Sequence, residues 1–261
     1  MRSSRRLQGS LALWSLIGLV MGVGFTIGVA LVHGSGVVVP AVIATLVWWL
    51  LIVVVVVGGA ALLDTPDGKP LDHYGIPNGL SAIRAWMCLP ILFVAVFSLP
   101  GKLALILWAG VGGAIGLLDA VDGFLARRIG PVSVLGKAID PFGDALFFVF
   151  TAVGSYLLGM FPLWLLALVV FRYAGPVLLT PLVLLTGRRP ELVYTVWGRR
   201  NTFATGVVLF TLFWVRVANG PVDIVALAVA LPTLVPTAIL HFISLAQRVF
   251  SAPIEHPVSA A

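Results

Sequence analysis

Eight apolar stretches of about twenty residues each follow one another along this chain, and little else is left over. They fall at residues 11–33, 37–63, 82–99, 103–126, 134–159, 161–186, 201–218 and 222–246. A run of that length crosses a hydrocarbon layer of about 30 Å only as a helix, which satisfies its backbone polar groups internally. The breaks are short and marked by Gly and Pro, as at His33 to Gly36, Pro100 to Lys102 and Asn219 to Pro221. The 261 residues are 60% hydrophobic and 10% charged, far from a soluble globular composition. The expected fold class is an all-α polytopic membrane protein with eight transmembrane helices. Met1 to Arg6 is basic, but the apolar run after it is longer than the roughly 7–15 residues of a secretory signal, so it reads as a retained span.

The cations test that count. With the N-terminus in the cytoplasm, Arg2, Arg5, Arg6, Lys69, Arg127, Arg128, Arg188, Arg189, Arg199, Arg200 and Arg248 fall on or near the inner face. Only Lys102 and Arg216 fall near the outer face, which is a strong positive-inside bias. Both termini are then cytoplasmic, in a multi-pass protein of the plasma or inner membrane. The net charge of +6 reports these loops and anionic headgroups; no basic cluster interleaved with aromatics suggests a nucleic-acid surface. The single cysteine, Cys88, excludes an intramolecular disulfide and reads as a packing residue. The loop 64–81 is the most polar stretch. It separates a hairpin, residues 1–63, from a six-helix core, 82–248, with a cytoplasmic tail at 249–261.

Against this apolar background, four of the ten acidic residues lie between 119 and 144: Asp119, Asp122, Asp140 and Asp144. Asp119 and Asp122 are three apart and Asp140 and Asp144 four apart, so each pair shares a helix face. Asp119 is eight residues before Arg127, or about 12 Å below the cytoplasmic end of its helix. The short connection 127–133 makes the two helices adjacent and antiparallel, with their acidic faces at similar depth. Carboxylates so placed cannot all stay ionised without counter-cations. Oxygen ligands alone favour Mg²⁺, Mn²⁺ or Ca²⁺ over Zn²⁺. Gly123 and Gly136 leave room on the same faces, and Arg127, within about 80° of Asp119 around the helix, can meet a phosphate. Together these features suggest a diphosphate substrate.

The full pattern, Asp119-x2-Asp122-Gly123-x2-Ala126-Arg127-x8-Gly136-x3-Asp140-x3-Asp144, resembles the signature of the CDP-alcohol phosphotransferase (CDP-alcohol phosphatidyltransferase) family at every fixed position. The segment Pro77-Asn78-Gly79-Leu80-Ser81 with Arg84 is similar to the one opening the first core helix of bacterial members. The resemblance covers roughly residues 72–246 and leaves out the first two helices. It implies transfer of a phosphatidyl group from CDP-diacylglycerol to an alcohol, with release of CMP. It also implies two divalent ions, Mg²⁺ or Mn²⁺, on Asp119, Asp122, Asp140 and Asp144, with Asp144 as the catalytic base. Gly123, Ala126, Arg127 and Gly136, with Asn78 and Ser133, would bind the CDP donor. Asn78 has a second reading, as a cap of the helix that follows. Membrane lipids and a homodimeric partner are further implications.

The acceptor is read from the remaining cations, Lys137, Arg172, Arg199 and Arg200, which together suit a phosphorylated polyol. The stretch Trp197-Gly198-Arg199-Arg200-Asn201-Thr202 is similar to the Gly-Lys-x-Lys-Thr segment of phosphatidylglycerophosphate synthases, with Arg199 and Asn201 in place of the two lysines. Ala145 stands where that branch and the cardiolipin branch usually carry lysine. Glycerol 3-phosphate is the favoured acceptor, with inositol phosphate and phosphatidylglycerol as alternatives. Arg172 also reads as a helix-pairing arginine, and Arg199 and Arg200 as ordinary inner-face residues. Two rivals come from other classes: a divalent-cation transporter, and a membrane scaffold whose partner surface is the hairpin.

Overall fold

The computed structural model describes residues 4–59, 63–65, 68–69, 71–97, 102–128, 134–186, 188 and 195–251; side chains at 119, 120, 122, 123, 125–127 and 134–141 are outside that description. The described residues are helical almost throughout and contain no β-strand. In chain order the helices are α1 (Arg5–His33), α2 (Val38–Gly58), α3 (Ile76–Val96), α4 (Leu103–Leu107), α5 (Gly113–Arg128), α6 (Val134–Leu157), α7 (Leu163–Leu185), α8 (Val196–Val217) and α9 (Val222–Ser251). A π-helical turn, Trp108–Gly112, joins α4 and α5 into one continuous rod. The rods coincide with the eight apolar stretches, so the protein is an all-α, multi-pass membrane protein. Among the described residues, five helical segments are long and apolar enough to cross a membrane: α1, Ser35–Gly58, α3, α7 and α9. The rods bearing the signature contain shorter apolar stretches, Leu103–Leu118 and Phe142–Leu157.

Several helices outrun their apolar cores, because hydropathy marks the lipid-embedded part while hydrogen bonding continues into the headgroup layer. Helix α1 starts at Arg5, where the Ser4 side chain accepts from the Leu7 amide. Helix α8 starts at Val196 behind Thr195, whose hydroxyl accepts from the Gly198 amide. Helix α3 begins at Ile76 rather than at residue 82. Proline in a first helical turn loses no intrahelical hydrogen bond, so Pro77 opens the helix instead of preceding it. Gly75 supplies the N-cap at φ 79, a left-handed value suited to glycine.

The chain forms two compact units, Met1–Leu158 and Gly159–Ala261. In the first, α3 is the buried centre, packed by α1, α2, α5 and α6. Large rings lie on glycines there. Trp86 covers Gly18, Trp14 covers Gly79 and Trp108 covers Gly154, each filling the space a β-carbon would need. Hydrogen bonds add direction to this packing. Trp49 Nε1 donates to the Ser15 carbonyl at 2.8 Å, Trp86 Nε1 to the Trp49 carbonyl at 3.2 Å, and Trp48 Nε1 to the Ala85 carbonyl at 3.0 Å. Thr26 and Thr45 pair at 2.8 Å inside the α1–α2 hairpin. At its polar end, the Tyr74 amide donates to Ser10 Oγ at 2.8 Å and the Ser4 hydroxyl to the Asp72 carbonyl at 3.2 Å. In the second unit α8 and α9 form the main contact, with α7 against α9.

Candidate functional site

The acidic positions lie on the adjoining rods α5 and α6. Glycine brings these rods together: the Phe147 ring rests on Gly116, its nearest atom 2.9 Å from where a β-carbon would be. Trp108 on Gly154 is a second contact in the same antiparallel register. That register puts the backbone of Asp119 level with Asp144, one turn beyond the Gly116–Phe147 contact, and Gly123 level with Asp140. The side chains of Asp119, Asp122 and Asp140 are outside the described residues, as are those of Gly123, Ala126, Arg127, Gly136 and Lys137, and Ser133 altogether. Among the described residues, no three His, Cys, Asp or Glu side chains come together as a metal site.

Asp144 is the described member of the acidic set, and its carboxylate is drawn inward. Its side chain is 15% exposed, and Oδ1 lies 3.1 Å from Nη2 of Arg84, which is 2% exposed. Arg84 comes from α3 and is the largest charged side chain buried in this unit. Gly143, next to Asp144, makes the approach possible: a β-carbon there would sit 3.1 Å from Arg84 Nη2. The sequence placed Arg84 in the family-like opening segment without giving it a partner. The two residues are sixty positions apart, and no local pattern links them. A carboxylate offers about four lone-pair sites, so an arginine contact and a cation are not mutually exclusive on it. An oxygen-only donor set with a mostly desolvated carboxylate fits a hard divalent ion.

Asn78 sits in the first turn of α3, behind the N-cap Gly75. It is therefore not the cap; its amide donates to the Tyr74 carbonyl at 2.7 Å, closing the helix entrance from inside. Outside the apolar layer, the Asp72 carboxyl is held below its usual range, first by the hydrogen bond with His73 and then by Arg6. Burial pushes the Tyr74 hydroxyl up.

The acceptor candidates of the second unit divide by burial. Arg172 is 7% exposed and donates to the Gly198 carbonyl at 3.4 Å. Its guanidinium also lies 4.8 Å from the ring centroid of Tyr173, the next residue on its own helix. Arg199 and Arg200 are exposed, with Arg200 over the Trp197 ring at 4.8 Å. Around them runs a neutral polar network. Thr195 Oγ1 and His241 Nδ1 are 2.6 Å apart, and Asn201 Nδ2 donates to Thr237 Oγ1 at 2.7 Å and to the Leu234 carbonyl at 3.1 Å. Tyr173 donates to Thr202 at 3.2 Å. Asn201, which replaces a lysine of the phosphatidylglycerophosphate synthase pattern, is thus spent on joining α8 to α9. A polar cleft lined by Thr195, Ser244, Gln247 and Arg248 opens beside the start of α8.

Known proteins are similar to this sequence. A family model described as CDP-alcohol phosphatidyltransferase matches residues 74–245, leaving α1 and α2 outside. A probable phosphatidylglycerophosphate synthase of Mycobacterium tuberculosis is 28% identical over 167 residues, 63% of this chain and 77% of that protein. A CDP-diacylglycerol--glycerol-3-phosphate 3-phosphatidyltransferase of Sodalis glossinidius is 30% identical over 182 residues, 68% of this chain and 94% of that protein. A cardiolipin synthase (CMP-forming) of Streptomyces coelicolor is 34% identical over 88 residues, 34% of this chain and 40% of that protein. No solved structure matches the chain.

Proposed function

We propose, for a chain that belongs to the CDP-alcohol phosphatidyltransferase family and is a membrane transferase of phospholipid synthesis, that it moves a phosphatidyl group from CDP-diacylglycerol to glycerol 3-phosphate and releases CMP. The observation that supports this reading is the Asp144 carboxylate drawn inward to Arg84, on a rod whose Phe147 packs on Gly116 of α5. The printed names of the Mycobacterium and Sodalis relatives support the acceptor. Family membership leaves the cation-transporter and scaffold readings without support.

In this reading Asp119, Asp122, Asp140 and Asp144 hold two Mg²⁺ or Mn²⁺ ions. Bound there, the ions neutralise the diphosphate, polarise the phosphorus and stabilise the leaving CMP. Asp144 takes the proton of the attacking hydroxyl, acting by position. Gly123 and Gly136 let the nucleotide approach the backbone, with Ala126, Arg127, Asn78 and Ser133 lining the donor pocket. Lys137, Arg172, Arg199 and Arg200 supply positive charge for the acceptor phosphate. The hairpin 1–63 precedes a six-helix core, 82–248, and eight spans place both termini and the active site on the cytoplasmic side of the cell membrane. A homodimer is part of the same reading.

The test is CMP release by the purified protein from labelled CDP-diacylglycerol with Mn²⁺ and separate acceptors. Glycerol 3-phosphate should give product, whereas inositol phosphate and phosphatidylglycerol should not. Turnover with either of those alone would reassign the acceptor, and no turnover with any of the three would overturn the reading.

A further inference from the structure

The N-terminal hairpin lies outside the matched family region, yet it reaches the two helices that carry Arg84 and Asp144. Trp48 of α2 donates to the carbonyl of Ala85, the residue after Arg84. The same indole packs on Phe150 of α6 with ring centroids 5.1 Å apart, under two turns beyond Asp144. On the neighbouring turn, Trp86 Nε1 donates back to the Trp49 carbonyl, and the Trp86 ring covers Gly18 of α1. One hairpin side chain therefore touches both helices that must be aligned for the 3.1 Å Arg84–Asp144 contact. A buried guanidinium is costly in this layer unless it meets a counter-charge, and Asp144 supplies one once the helices are aligned. A β-carbon at Gly143 would crowd Arg84 Nη2 at 3.1 Å, which glycine avoids.

We propose that Arg84 is a positioning residue that fixes the Asp144 carboxylate, and that the hairpin, through Trp48, sets the α3–α6 alignment that keeps Arg84 there. The accessory helices are then part of the catalytic unit. The proposal rests on Asp144 being the reacting carboxylate. Arg84 contributes orientation, and its positive charge also opposes a divalent ion on the same carboxylate. Removing it should therefore slow turnover while tightening the ion. A merely structural defect loosens both.

The experiment uses the full chain in detergent micelles, with Arg84→Met, Arg84→Lys, Trp48→Ala, the Arg84→Met/Trp48→Ala pair and Asp144→Asn. The readouts are kcat, donor KM, and Mn²⁺ affinity by electron paramagnetic resonance without substrate. Arg84→Met should lower kcat on the order of 10²-fold, as for a small misplacement of a reacting group, with donor KM little changed and Mn²⁺ bound more tightly. Arg84→Lys should recover part of kcat. Trp48→Ala should move kcat and Mn²⁺ affinity in the same directions by less, and the double variant should be no slower than Arg84→Met alone. Kinetic effects that multiply in the double variant would overturn the hairpin's role. Normal kcat and unchanged Mn²⁺ affinity in Arg84→Met would overturn the role of Arg84. If Arg84→Met does not fold, the cycle is run with Arg84→Lys and Trp48→Phe, and multiplying effects again count against the proposal. Full activity in Asp144→Asn would instead overturn the assignment of Asp144, a separate failure.

Discussion

The two compact units handle buried arginine differently. In the first, Arg84 meets the Asp144 carboxylate. In the second, Arg172 donates to the Gly198 backbone carbonyl and stands over Tyr173, among threonine, asparagine and histidine side chains hydrogen-bonded to one another. A carboxylate in an apolar layer is expensive and is kept where it does chemistry. Neutral polar groups that satisfy one another can serve helix packing alone. In the proposed reading the first unit carries the reaction, while Asn201 and His241 join helices of the second.

The largest expected effect tests the first half of that contrast. Asp144→Asn should lower CMP release on the order of 10²–10⁴-fold, the usual worth of a positioned base, with the protein still monodisperse by gel filtration. A variant that keeps its rate would break the comparison outright. Asn201→Ala tests the second half. It removes two hydrogen bonds to α9 and should cost about 1–3 kcal/mol in denaturation, while kcat stays within about twofold. Gly143→Ala sharpens the first half without removing a charge: its β-carbon displaces the guanidinium, and kcat should fall roughly tenfold, the scale of a sub-ångström misplacement. Arg200→Ala should raise the acceptor KM several-fold and the donor KM less; equal rises would remove Arg200 from the acceptor site.

The smallest effect lies outside the apolar layer. The Asp72 carboxyl is lowered below its ordinary value of 3.8, so its contribution to stability is present above that value and lost as pH falls through the lowered one. Asp72→Asn should remove only that acid-side slope in a melting-temperature profile. The Asp72 and Arg6 side chains are half or more exposed, so high salt should hide the change.

Much of this was legible along the chain. The helical rods follow from apolar run length, and the short connection between α5 and α6 agrees with the contact of Phe147 on Gly116. The helix starts were less legible. Pro77 and Thr195 open helices inside segments that hydropathy reads as loops, because capping is local chemistry that an apolar average smooths away. Asn78 kept two readings until its amide was seen on the Tyr74 carbonyl. Arg84 was visible as part of a family-like segment, but its partner was not. His241 meets Thr195, forty-six residues away, a contact that no local pattern announces.

Sequence alone determined that the chain is a helical membrane protein and that four of its acids fall three and four residues apart on two consecutive helices. Both follow from short-range regularities: the length of an apolar run, and the 3.6-residue turn that puts positions three and four apart on one side. Tertiary structure decided what meets those faces. Arg84 reaches Asp144 because α3 is the packed centre of its unit, because Gly143 has no side chain, and because Trp48 spans α3 and α6. These are contacts between residues far apart in the chain. Their positions are set by packing rather than by any periodicity a sequence carries.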